Sequence, residues 1–208
     1  MGKRLNEIKR IYHRHDSSIL NPALWAVLNY RYGAWALCVR NRFLRYALMK
    51  IYGLNAFLIL ITSGIRLHCQ AKIGHDLHLV HSGNINVHPK TVIGERCGIQ
   101  QDVTIGTNPE RNGAPIIGDD VYIGAGAKVL GPVKIGDRAR IAANSLVIND
   151  VPDDATAIGV PARIIRYCAG NKKQDNKQET QSINEPTTKE SDLDSISNDR
   201  DDRKNLRT

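Results

Sequence analysis

Through the middle of the chain, apolar side chains recur every six positions. Counting from Ile117, the beat falls on Ile123, Val129, Ile135, Ile141 and Val147. Four residues after each beat stands a second small or β-branched residue: Val121, Ala127, Val133, Ala139, Ser145 and Val151. Upstream, the pattern takes in Leu67, Ile73, Leu79, Val87, Ile93, Ile99 and Ile105, with Thr91, Cys97 and Val103 four residues on. A helix repeats at about 3.6 residues and a half-buried strand at about 2, so neither sustains a beat of six. A hexapeptide repeat marks a mainly-β solenoid, a parallel β-helix in which each coil covers the apolar edge of its neighbour.

The beat is interrupted twice. Val87 follows Leu79 by eight positions, so two extra residues are spliced in around His81, Ser82, Gly83 and Asn84. Between Ile105 and Ile117, residues 106–115 read GTNPERNGAP, a run of turn formers that predicts a loop projecting from the solenoid. Interruptions in a rigid repeat are where function is commonly installed. One of these two carries a histidine.

Outside the repeat, the pattern changes. Residues 1–18 read as a polar, frayed end. Asn21 and Pro22 suit the N-cap and first turn of a helix, with Leu24, Val27, Leu28, Trp35, Leu37 and Val39 lining a face. A second helix is expected from about Arg42 to Thr62, and the pair should cap one end of the solenoid. Pro152 and Pro161 close the repeat, and a short arm follows at residues 162–167. From Gly170 the chain is polar and charged with almost no aliphatic side chains, which predicts disorder. The expected segments are a helical part at 1–63, a β-helix with its arm at 64–168 and a polar tail at 169–208.

Composition narrows the setting. The 208 residues are 41% hydrophobic, enough for one substantial core. Four widely spaced cysteines without a CxxC pair suit a reducing compartment. The N-terminus has no apolar signal core, and the longest apolar run, residues 54–61, is shorter than the roughly 20 needed to span a bilayer. A cytoplasmic protein is expected. The whole net charge of +8 resides in residues 1–50, with ten Lys/Arg against Glu7 and Asp16. No nucleic-acid motif accompanies it. A solvated helical face accounts for it, and contact of basic helices with the inner face of a membrane is the functional alternative.

The insertion at His81 and the runs VIGERCGIQQDVTIG, IIGDDVYIGAGAKVLGPVKIGDRARIAANSLVINDVP and GVPARII resemble hexapeptide-repeat acetyltransferases. Within them, the serine acetyltransferase branch and its surface-polysaccharide relatives look most similar, over residues 20–168. The resemblance implies a left-handed β-helix, a homotrimer with sites between adjacent subunits, and acetyl-CoA as co-substrate. His81 then matches the catalytic histidine, the base that takes the acceptor hydroxyl's proton and returns it to the leaving thiolate. By position, Gly106 and Thr107 lie near the thioester, Ala125 and Ala143 along the later coils. Lys128, Arg138, Arg140 and Arg163 are candidates for the nucleotide phosphates.

Four positions depart from the serine-specific pattern. Arg66 replaces the acid that orients the histidine, leaving Asp76 or Glu95 as substitutes. Val80 replaces an Asp, Asn21 opens a motif that normally begins with Asp, and Ala114 stands where the projecting loop carries a basic pair. Burying a zwitterion's charges without partners is costly, so a sugar hydroxyl of a surface polysaccharide is the first expectation. Free serine, as in cysteine biosynthesis, is the alternative. Two other classes are open: zinc held among His68, His75, His78, His81 and His88, as in gamma-class carbonic anhydrases, and a non-catalytic scaffold. No metal is expected.

Overall fold

A computed structural model describes residues 2–15 and 18–166, with the side chains of residues 2–7 and of Arg166 left aside. The tail expected to be disordered, and the boundary at 168–169, lie outside the described residues. Three helices come first: α1 (Gly2–Arg14), α2 (Pro22–Leu37) and α3 (Arg42–Ser63). Five coils of short strands follow, each visiting three faces, A, B and C, in turn. The first coil holds β1 (Arg66–Leu67), β2 (Lys72–Ile73) and β3 (His78–Leu79), the second β4 (Asn86–Val87), β5 (Val92–Ile93) and β6 (Gly98–Ile99). The third holds β7 (Thr104–Gly106), β8 (Ile116–Ile117) and β9 (Tyr122–Ile123), the fourth β10 (Lys128–Leu130), β11 (Lys134–Ile135) and β12 (Arg140–Ile141). The fifth holds β13 (Leu146–Val147), a bridge at Val151 and β14 (Ala155–Ile158), against which β15 (Arg163–Arg166) turns back antiparallel.

Every beat residue named above faces inward. In each two-residue strand the second side chain is buried and the first points out, so Leu67, Val87, Ile105, Val129 and Val147 stack in the core behind face A. The residues four positions after each beat are buried too, including the polar Thr91 and Ser145. Strand register locates the interruptions. Arg66 pairs with Asn86, two positions beyond the regular coil length set by the pairing of Asn86 with Thr104. Thr104 pairs with Lys128, six positions beyond it, so residues 106–115 are a phase-preserving insertion. That loop leans along its edge: Arg111 Nη1 donates to Ile148 O at 3.3 Å, two coils further on.

The helices close the open end by supplying partners to the unpaired backbone of the first coil. Tyr30 Oη donates to Ala71 O at 2.8 Å and accepts from Ile73 N at 3.0 Å. Arg31 donates to Ile73 O and Gly74 O. Tyr52 Oη donates to Leu67 O at 3.2 Å and accepts from Cys69 N at 3.1 Å. His15 Nε2 accepts from Leu79 N at 3.2 Å, and Arg14 Nη1 donates to Asp76 O at 2.7 Å. A buried, unpaired backbone group costs about 1–3 kcal/mol, so this cap is an energetic requirement of the fold.

Two expectations are corrected here. The segment read as frayed forms α1 and locks onto the solenoid through Ile11 and His15, both fully buried. The bilayer argument from the run at 54–61 also fails: α3 is 22 residues long and, by length and composition, apolar enough to cross a membrane, with none of its residues buried. Arg42, Arg45 and Lys50 hid its length from a count of apolar runs.

Candidate active site

The edge between faces C and A carries His81. Residues 80–85, 100–103, 124–127 and 142–145 occupy it in successive coils. They are stitched by Val80 N to Ile99 O at 2.9 Å, Gln100 N to Ile123 O at 3.0 Å and Gly124 N to Ile141 O at 2.9 Å. A second ladder runs beside it, Asp102 N to Gly83 O, Gly126 N to Gln101 O and Asn144 N to Ala125 O. Asn84, Asp102 and Asn144 turn this edge at positive φ, a conformation short amide and carboxylate side chains tolerate better than most. His81 is exposed at the top of the strip, and Gly124, Ala125, Ala142 and Ala143 form its floor. The close packing is obligatory: a Cβ on Gly124 would stand 2.7 Å from Ala143 N.

Of the residues read from the sequence, His81, Ala125 and Ala143 share this edge. Lys128 begins β10 on face A, and its ammonium donates to Asp102 O. Arg140 is exposed on face C beside Tyr122 and Thr156, and Arg163 opens β15 on the same face. Gly106 and Thr107 lie elsewhere, at the root of the loop on the A–B edge, across face A from His81. Arg138 is withdrawn from phosphate binding. Its guanidinium pairs two-pronged with Asp154 at 2.6 and 2.7 Å.

The proposed substitutes for the missing acid are also displaced. Asp76 and Glu95 sit on the B–C edge, where Asp76 pairs with Arg10 at 3.4 Å and Glu95 with Arg96 at 3.1 Å. Among the described residues, none hydrogen-bonds to the His81 ring. The carboxylate that the coils bring to its edge is Asp102, one coil below and bonded to Asn84 Nδ2 at 3.1 Å. Asn21 caps α2, its Oδ1 accepting from Ala23 N at 2.9 Å.

Three neighbours escaped the sequence reading. Asp102 is one; Gln100 and Gln101 are the others. Gln100 Oε1 accepts from Ala125 N at 2.9 Å, bracing the strip. Gln101 lies beneath Gly83, with a buried Oε1 that accepts no hydrogen bond. The only signal of the two glutamines was a polar pair at positions that the next two coils fill with Gly and Ala.

The five clustered histidines disperse over the solenoid. His68 and His88 stack on the A–B edge, where burial chiefly, then His88 and Arg66, hold the His68 pKa below its usual value. His75 lies on the B–C edge, and His78 packs edge-on against His15 on face C. The coils carry these imidazoles apart, so they do not converge on one ion.

The family model for bacterial transferase hexapeptide repeats, six repeats in length, matches residues 114–149. Serine acetyltransferase of Haemophilus influenzae is 43% identical over 109 residues, 51% of this chain and 41% of its own. That of Synechococcus elongatus is 35% identical over 107 residues, 50% of this chain and 44% of its own. A solved serine acetyltransferase in complex with cysteine superposes with a TM-score of 0.64 at 32% identity, covering 76% of this chain and 67% of that one. The chain belongs to the hexapeptide-repeat acetyltransferases, in the serine acetyltransferase branch. Its fold is accordingly the left-handed β-helix of that branch. The serine acetyltransferase of Brucella abortus in complex with coenzyme A also superposes, with a TM-score of 0.65 at 27% identity over 77% of this chain and 65% of that one. The chain spans about half the length of the curated relatives it matches.

Proposed function

We propose that the chain is an acetyl-CoA-dependent O-acetyltransferase with His81 as general base and L-serine as acceptor. The observation that carries the reading is the C–A edge itself, an exposed imidazole at the head of a floor of Gly and Ala, in a chain of the serine acetyltransferase branch. In the reaction, a His81 ring nitrogen takes the acceptor's hydroxyl proton as its oxygen bonds to the thioester carbonyl carbon. Collapse of the tetrahedral adduct breaks the C–S bond, and the imidazolium gives the proton to the departing thiolate. Such a base contributes about 10²–10⁴-fold.

The small-residue floor supports acetyl-CoA as the donor, since it lets an extended ligand lie against the backbone through Ala125 and Ala143. Arg140 and Arg163, exposed beside it, suit its phosphates, and Lys128 flanks it from face A. Gly106 and Thr107 require a second subunit. In a homotrimer with shared sites, one chain would supply the His81 edge and its neighbour the loop at 106–115. Cytoplasmic location follows from the same reading.

The relatives favour serine over the polysaccharide hydroxyl first read from the sequence. One specific feature still favours the carbohydrate: Arg66, Val80 and Ala114 leave few partners for an amino acid's charges. Thiol release from acetyl-CoA decides between them, with L-serine set beside a panel of sugars and polysaccharide fragments. Release with serine that disappears in His81→Ala supports the main reading. Release with a carbohydrate alone transfers the assignment to that acceptor, and none with any acceptor rejects the proposal.

A further inference from the structure

The outer face of α3 is an apolar stripe that nothing covers among the described residues. Phe43, Tyr46, Leu54, Phe57 and Ile61 recur at helical spacing on one side, and Phe43 is 88% exposed. The opposite side is the one that docks: Tyr52 bonds to the first coil, and Ile59 packs against the core. A helix apolar on both sides is normally buried in protein or lipid. Here it lies open for about 33 Å, the length of 22 residues.

The charge around the stripe has one sign. Between residues 17 and 75 there is no Asp or Glu, while Arg31, Arg40, Arg42, Arg45, Lys50, Arg66 and Lys72 all fall there. Arg31 is spent on the first coil. Arg40, Arg42 and Lys50 are exposed at or near the N-terminal half of α3, with Lys50 over the Tyr46 ring at 5.1 Å. Between α2 and α3 a groove of about 410 Å³, lined partly by Trp25, Ile51 and Leu58, adds apolar surface. Trp25 and Trp35 are each about half exposed.

We propose that α3, with the α2–α3 turn, lies in the surface of an anionic lipid bilayer. An apolar stripe bordered by Arg, Lys, Trp and Tyr is the composition of interfacial helices. Spanning is excluded by the attachment of the helix at its midpoint, where Tyr52 bonds Leu67 O and Cys69 N. A two-fold contact with a second copy would press like-charged Arg and Lys together with no carboxylate in the segment to offset them. Anionic headgroups meet that charge and acyl chains cover the stripe.

The test is co-sedimentation of the full chain with vesicles of phosphatidylcholine alone and of phosphatidylcholine mixed with phosphatidylglycerol, at low and high salt. Binding should require the anionic lipid, weaken with salt, and fall roughly fivefold for each of Arg42→Glu and Arg45→Glu. The double variant Leu54→Glu/Phe57→Glu changes only exposed positions, so it should keep its circular dichroism while losing at least about tenfold in binding. Three results overturn the proposal: no binding to either vesicle, binding that the double variant retains, or a solution mass that the double variant halves. The last would mean that a second copy covers the stripe. None depends on the acceptor, so failure here and failure of the acetyltransferase reading are distinguishable.

Discussion

Face C lies between two edges, and both turn through residues held at positive φ: Asp76, Arg96, Asp120, Arg138 and Asp154 on the B–C edge, Asn84, Asp102, Gly126 and Asn144 on the C–A edge. The backbone device is shared, but the side chains differ. On the B–C edge, Arg96 grips Asp120 at 2.6 and 2.7 Å and Arg138 grips Asp154 in the same two-pronged way, each across one coil. On the C–A edge, Gly124, Ala125, Ala142 and Ala143 stand between an exposed His81 and the end of the solenoid. A coil edge can thus be finished by pairing its own charges or by keeping the backbone bare. The bare edge leaves its backbone open to approach, and the difference can be attacked from either side.

The largest effect should come from His81→Ala. Turnover should drop by about 10²–10⁴-fold with little change in Tm, because the side chain is exposed and holds nothing in place. Retained turnover would detach the bare edge from catalysis. Gly124→Ala comes next. Its Cβ would meet the Ala143 amide at 2.7 Å, and backbone cannot swing aside as a side chain can, so about 1–3 kcal/mol of stability should be lost in denaturant melts. An unchanged midpoint would show that the strip is looser than its geometry. Ala143→Leu is milder: the position is exposed, so Tm should hold while KM for acetyl-CoA rises roughly tenfold, about 1.4 kcal/mol of lost contact. A KM left unchanged would move the donor off this floor.

The contrast also explains what could be read from the chain beforehand. The beat was legible because one inward side chain per strand must be apolar, as Ile99, Ile123 and Ile141 are. The insertion at His81 was legible as a shift in that count. The cap was not. Tyr30, Tyr52 and His15 act through one or two hydrogen bonds each to backbone groups of the first coil, and such partners leave no period in the sequence. Arginine roles were equally opaque, since Arg138 and Arg140 are two residues apart, yet one is committed to Asp154 and the other exposed on face C. The separation of Gly106 and Thr107 from His81 became visible only when strand register assigned each turn to an edge. Within the site, Asp102 went unnoticed because its importance comes from the coil above it.

The smallest expected effect belongs to the charged edge, and its sign is set by Arg96. The two hydrogen bonds from that guanidinium hold the Asp120 carboxyl below its ordinary 3.8. A carboxyl depressed on folding stabilises the native state above its unfolded pKa, and that stability is lost as pH falls through the folded value. Asp120→Asn should therefore lower Tm slightly at neutral pH, by an amount that shrinks in high salt because the pair is open to solvent. Below about pH 3.8 the gap between the two proteins should narrow, and it should close once the wild-type carboxyl is protonated. Asp154→Asn should behave alike, its carboxyl being depressed by Arg138. Thermal melts across this acid range, with thiol release followed at neutral pH, separate the two edges: Tm should respond and turnover should not. A rise in KM for acetyl-CoA matching that of Ala143→Leu would mean that the paired edge serves the site as well.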